Sequence, residues 1–199
     1  MKKYVSLVLT VLLAVFICIP SQTAVPAQKL VRLHVLAASD SPYDQAIKLA
    51  VKERVLALAT DLTKVARTAG EAKAILSDSL PELEKAANDT LAAFEYGYYA
   101  RASLENCAFP KRNYGIFSLP AGTYDALRVV IGRGEGHNWW CVVFPQLFKA
   151  ASAGEVCAAA LEAGFTGQEV SALLQEDGAA HFKLKSVELF RKLLALFNS

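Results

Sequence analysis

The chain has 199 residues, 54% of them hydrophobic and 20% charged, a composition that excludes a disordered tail or a fibrous repeat. Its 21 basic and 19 acidic side chains give a formal net charge of +2, which excludes the broad positive field that holds nucleic acid. Four cysteines are too few for a disulfide-dense mini-protein.

Lys2 and Lys3 precede an apolar run from Tyr4 to Ile19 interrupted only by Ser6 and Thr10, and Pro20 breaks it. Val25-Pro26-Ala27 places small residues at −3 and −1 of a cut after Ala27. This layout predicts a secretory signal peptide over residues 1–27. The run is about 16 residues, short of the roughly 20 that span a bilayer, and an uncleaved N-terminal anchor is the alternative. The segment explains much of the mean hydropathy of +0.29. Its removal leaves residues 28–199 with 19 basic and 19 acidic side chains, hence no net charge. Cys107, Cys141 and Cys157 remain. Outside the membrane one pair can oxidise and leave an odd thiol, or all three stay reduced.

Lys29 to Ala37 alternates two largely apolar sets and predicts a strand internal to a sheet. Ser41 and Pro42 then predict a helix start, with Ser41 as cap and Asp44 in the first turn. Ile47, Val51, Arg54, Val55 and Leu58 recur at helical spacing as its buried face. Helices are predicted near Ala66–Ser77 and Pro81–Phe94, and strands over Gly97–Cys107, Tyr124–Ile131 and Trp139–Phe144. Phe109–Gly115 and Pro120–Gly122 read as turns. Further helices are predicted over Glu155–Ala163, Gly167–Gln175 and Phe182–Phe197. The pattern predicts an α/β or α+β single domain, a mixed sheet flanked by several helices.

Candidates for chemistry are few. Gly132, Gly134 and Gly136 form G-x-G-x-G before a strand. A dinucleotide site needs G-x-G-x-x-G before a helix, so the glycines predict a β-connection with positive φ. His34, His137 and His181 show no metal-ligand spacing, and neither a metal nor a cofactor is expected. Cys141 with His137 or His34 is the one nucleophile–base arrangement on offer, and it defines an alternative reading as a secreted hydrolase acting on peptide or cell wall. On a strand, Trp139 and Cys141 share one face while Trp140 and Val142 share the other. Both tryptophans are buried only if the sheet is covered on both sides. An exposed one is a natural contact residue. Phe182–Phe197, apolar with basic punctuation, suits packing on its own domain, a partner or a membrane surface.

Arg32-Leu33-His34-Val35-Leu36-Ala37-Ala38-Ser39-Asp40-Ser41 with Asp44-Gln45-Ala46-Ile47-Lys48-Leu49 closely resembles the opening motif of the stage II sporulation protein R family. So do Phe109-Pro110, Tyr114-Gly115, Pro120-Ala121-Gly122, Ala126-Leu127-Arg128-Val129, and the Gly132-x-Gly134-x-Gly136-His137-Asn138-Trp139-Trp140-Cys141 block running on to Pro145. Ala38 stands where the family usually has Asn, and Phe148 where a second Cys often follows the Trp-Trp-Cys strand. The motif order favours Cys107 as the disulfide partner of Cys141. The resemblance implies an exported signal of endospore formation, released from the forespore into the space between forespore and mother-cell membranes. It implies a membrane-embedded aspartic peptidase as partner, activated to process pro-sigma E, and no catalysis by the chain itself. The expected contact surface is His137, Asn138, Trp139 and Trp140, with His34, Ser39 and Asp40 beside it.

Overall fold

The computed structural model describes residues 25–174. The predicted signal segment up to Ala24 and the predicted C-terminal helix over Phe182–Phe197 lie outside them. The elements are β1 (Val31–Leu36), α1 (Pro42–Thr63), α2 (Ala69–Asp78), α3 (Leu80–Ala93), β2 (Ala100–Phe109), β3 (Arg112–Asn113), β4 (Ser118–Leu119), β5 (Gly122–Ile131), β6 (Asn138–Phe144), α4 (Ala153–Glu162) and α5 (Gly167–Leu174). They form one mixed α/β domain. The main sheet runs β2-β5-β1-β6, and β3 pairs with β4 in a separate short hairpin.

β1 pairs parallel with β5 and antiparallel with β6, and every one of its residues is buried. This is why its two alternating sets are both apolar in the main: a central strand covered on both faces has no wet side. Leu33 and Val35 share a face with Leu127, Val129, Cys141 and Trp139, and α1, α2 and α3 cover it. Arg32 and His34 share the opposite face with Ala126, Arg128, Val142 and Trp140. The β3–β4 hairpin closes part of that second face through Tyr114, whose hydroxyl accepts from Arg32 Nη2 at 2.5 Å. Residues 109–115, expected to be one turn, thus divide into a buried strand end at Phe109 and a hairpin arm.

Local signals place the helix starts. Ser41 Oγ accepts from Asp44 N–H at 3.1 Å and Pro42 opens α1. Thr68 and Ser152 cap α2 and α4 in the same way. The buried stripe of α1 differs from the expected one: Ile47, Lys48, Val51, Lys52, Val55 and Ala59 face the core, while Arg54 is exposed and Leu58 half-buried. Both lysines are buried, with Lys48 Nζ bonded to Gln45 and the His137 carbonyl and Lys52 Nζ paired with Glu53 over the Trp139 ring. Hydropathy alone therefore mislocates the face.

The third helix ends on strain. Tyr96 N–H donates to Leu91 O and Glu95 N–H to Ala92 O, both at 3.0 Å. This is the two-bond αL termination that glycine normally completes. Here Glu95 takes the position, at φ 51°. Glu95→Gly is expected to stabilise the domain by about 0.5–1 kcal/mol by relieving the side-chain clash of left-handed backbone. Urea unfolding should show a raised midpoint for Glu95→Gly and none for Glu95→Ala.

Candidate functional site

The C-terminal ends of the parallel strands β1 and β5 define one rim of the sheet. Three connections meet there: Ala37–Ser41, Phe94–Tyr99 and Gly132–His137. Gly136 N–H donates to Ala37 O at 3.0 Å. A Cβ on Gly136 would stand 2.2 Å from Ser39 O, so the two loops approach closer than any side chain allows. Gly132 and Gly134 have φ of +57° and +67°, and a Cβ there would meet Tyr98 and Val130 at 2.9 and 2.7 Å. The glycine motif therefore serves backbone turning and loop contact, as expected of a β-connection.

Side chains lock the same approach. Asp40 accepts from the His137 backbone N–H at 2.5 Å and also contacts His137 Nδ1. Gln45 Nε2 donates to Ser39 O at 2.9 Å. Lys48 Nζ donates to Gln45 Oε1 at 2.6 Å and to His137 O at 3.1 Å. Asp44 accepts from Ser39 Oγ at 2.5 Å and from Tyr96 OH at 2.6 Å. The N-terminus of α1, the glycine loop and the α3–β2 connection are thus one hydrogen-bonded clamp. The His137 backbone N–H holds the Asp40 carboxyl below the usual carboxylate range, and the Ser39 hydroxyl does the same for Asp44. Burial, reinforced by Asp44, raises the Tyr96 phenol. Burial lowers the Lys48 ammonium.

The predicted contact residues separate into three groups. Ser39, Asp40 and His137 meet at the rim, where Asn138 opens β6 opposite Leu36. Trp139 points to the helix side, half-buried, with Lys52 Nζ 4.9 Å from its ring centroid. Trp140 points to the other side and stacks on His34, ring centroids 3.9 Å apart at 17°. His34 is buried, with the Asn138 side chain beside it on the same face of the sheet. Desolvation lowers its pKa. The two tryptophans thus face opposite sides of the sheet, as alternation along a strand predicts.

Two cysteine expectations are corrected. Cys107 lies on β2 and Cys141 on β6, at opposite edges of the sheet. Three strand spacings separate them, about 14 Å, against a Cα separation of at most about 7 Å for a disulfide. All three described cysteines are free. Cys141 is fully buried on the helix side, and its thiol is pushed up to about 11 by desolvation. His34 is on the other face of the sheet, and His137 is engaged with Asp40 at the rim. The hydrolase reading has no nucleophile–base contact in this geometry.

Sequence reasoning missed an aromatic cluster beside the clamp. Tyr43, Phe94, Tyr98 and Tyr99 are exposed, Tyr99 by 81%. Tyr43, Tyr96 and Tyr98 form a ladder with ring centroids 5.8 and 5.3 Å apart. Tyr43 OH donates to Phe94 O at 3.2 Å. The signal was present in Phe94-Glu95-Tyr96-Gly97-Tyr98-Tyr99, an aromatic density unusual for a connection between helix and strand.

Fold and clamp together define a small α/β domain that commits its motif residues to holding a surface rim in shape. The family model for stage II sporulation protein R matches residues 27–153, a stretch that contains every strand and the whole clamp. The stage II sporulation protein R of Bacillus subtilis (strain 168) is 33% identical over 127 residues, covering 64% of this chain and 57% of that protein. No solved structure matches. The chain belongs to the stage II sporulation protein R family.

Two outcomes test the clamp. Gly136→Ala is expected to destabilise the domain by about 2–3 kcal/mol, since backbone must move to admit the methyl group. Its thermal melt should lie well below that of Gly134→Ala only if the Ser39 approach outweighs the left-handed φ at Gly134. For pH, the folded-state pKa values of Asp40 and Asp44 lie below their unfolded values. Their contribution is therefore complete above the unfolded carboxylate pKa of about 4 and is lost as pH falls through the folded values. Melts from neutral to acid pH should fall below about pH 4, and Asp44→Asn should flatten that fall.

Proposed function

We propose that this protein is an exported signal of endospore formation. It acts as the ligand of a membrane-embedded aspartic peptidase that processes pro-sigma E. The family assignment supports this reading. So does the use of the motif residues: Ser39, Asp40, Gly136 and His137 build a rigid exposed rim rather than an acid–base pair. A ligand needs a preformed surface, because each side chain already held in place is one less to order on binding. It activates only by binding the active receptor more tightly than the inactive one. The rim offers exposed aromatic rings of the kind that dominate binding energy. The space between forespore and mother cell is the compartment this role requires.

The test is reconstitution in a host without sporulation genes. Peptidase and pro-sigma E are co-expressed with this protein, either exported or signal-less, and processing is followed by blot. Cleavage is expected only with the exported form. Asp40→Ala, which frees His137, is expected to lower processing about tenfold or more, a loss on the scale of one binding hot spot. Equal processing by an exported, folded Asp40→Ala protein would remove the clamp from the contact surface. No processing by the exported wild type would remove the signalling role.

A further inference from the structure

β2 is an edge strand of the main sheet, and the fold treats the two halves of its outer edge differently. Over the first half α3 closes it. Asn88 Oδ1 accepts from Ala100 N–H at 2.8 Å, Asn88 Nδ2 donates to Ala100 O at 3.0 Å, and Glu84 Oε2 accepts from Ala102 N–H at 2.9 Å. These bonds establish which way the backbone points: residues of this parity direct N–H and C=O away from β5. The β2–β5 register is unbroken to Phe109. Leu104, Asn106 and Ala108 therefore direct theirs outward too, and none has a hydrogen-bond partner there among the described residues.

Among the described residues nothing covers this second half. Natural edges are blunted by lysine, proline, bulges or covering elements. Residues 104–108 carry none of these, and Glu105 is their one charge. Asn106 and Ala108 are exposed. At the opposite edge, the pairing of β6 with β1 carries a register shift next to Arg32.

We propose that Leu104–Ala108 pairs antiparallel with the same segment of a second copy of this chain, about a two-fold axis at Asn106. The open positions are symmetric about that residue. Leu104 of one copy then faces Ala108 of the other, Asn106 faces Asn106, and about six main-chain hydrogen bonds close the ladder. Other registers fail on visible grounds. An axis at Leu104 brings in Ala102, whose N–H Glu84 already holds. An axis at Ala108 brings in Pro110, which has no N–H. An axis at Glu105 sets two carboxylates directly opposite, which destabilises a pair. An axis at Cys107 sets Leu104 against Pro110 and forfeits a rung. At Asn106, Glu105 meets Cys107 and no like charges meet. The contact is isologous, so it closes at two copies and joins the sheets into one.

Sedimentation of the exported chain over a concentration series tests this. The wild type is expected to show a reversible monomer–dimer equilibrium. Asn106 is exposed, so Asn106→Lys and Asn106→Glu should keep the wild-type melt. Each places like charges on the axis and should weaken dimerisation about tenfold or more. An equal mixture of the two variants should restore the dimer, because the axis sets Lys against Glu. A wild type monomeric throughout overturns the proposal. So does a dimer indifferent to both variants, or a mixture that fails to restore association. Sedimentation reads association without reference to signalling, so the two readings fail separately.

Discussion

The structure depends on the approach of two loops at Gly136. Ser39 carbonyl and Gly136 Cα come closer than any Cβ permits. That contact determines where β1 ends, how β5 returns to β6, and how the first turn of α1 sits. Asp40, Gln45 and Lys48 then satisfy the backbone groups the approach exposes. Backbone groups drawn together so closely find their partners within the chain. The motif residues of the opening segment and of the glycine loop meet this single requirement from its two sides.

A second constraint lies in β1. Arg32 is fully buried, yet no carboxylate pairs with it among the described residues. Its guanidinium carbon sits 4.0 Å from the Phe109 ring centroid and 4.8 Å from that of Tyr124. Aromatic faces supply the negative potential a counter-ion would otherwise bring, while burial still lowers the guanidinium pKa. His34 next along the same face stacks on Trp140, and burial lowers its pKa. The two polar residues of the central strand are thus held by rings from β2, β5 and β6, which ties the hairpin side of the sheet to its centre.

These two constraints bear on function in different ways. The clamp shapes an exposed rim that carries Tyr43, Phe94, Tyr98 and Tyr99 beside Asp40 and His137. The aromatic cage is interior and packs around the two polar side chains of β1. Of the rim rings, Tyr43 is held by its hydroxyl bond to Phe94 O and its packing on Tyr96, so it loses little freedom on contact. Cys141, which as a nucleophile would need a lowered pKa, sits instead in the apolar helix-side core. Its neighbourhood is that of a small packing residue.

Much of the fold was legible in the chain itself. The Ser41-Pro42 start, the doubly apolar β1 and the order of helices and strands are local, because caps, φ limits and hydrophobic period act over a few residues. The opposite facing of Trp139 and Trp140 follows from strand geometry alone. Tertiary structure decided what depends on distant pairing. Only the strand order β2-β5-β1-β6 shows that Cys107 and Cys141 cannot meet. Only the packed helix shows that Lys48 and Lys52, not Arg54, lie against the sheet. The rim brings Tyr96, Asp44 and His137 together from three separate segments. Nothing in the local pattern of any one segment names the other two, since their contact is set by how the sheet closes.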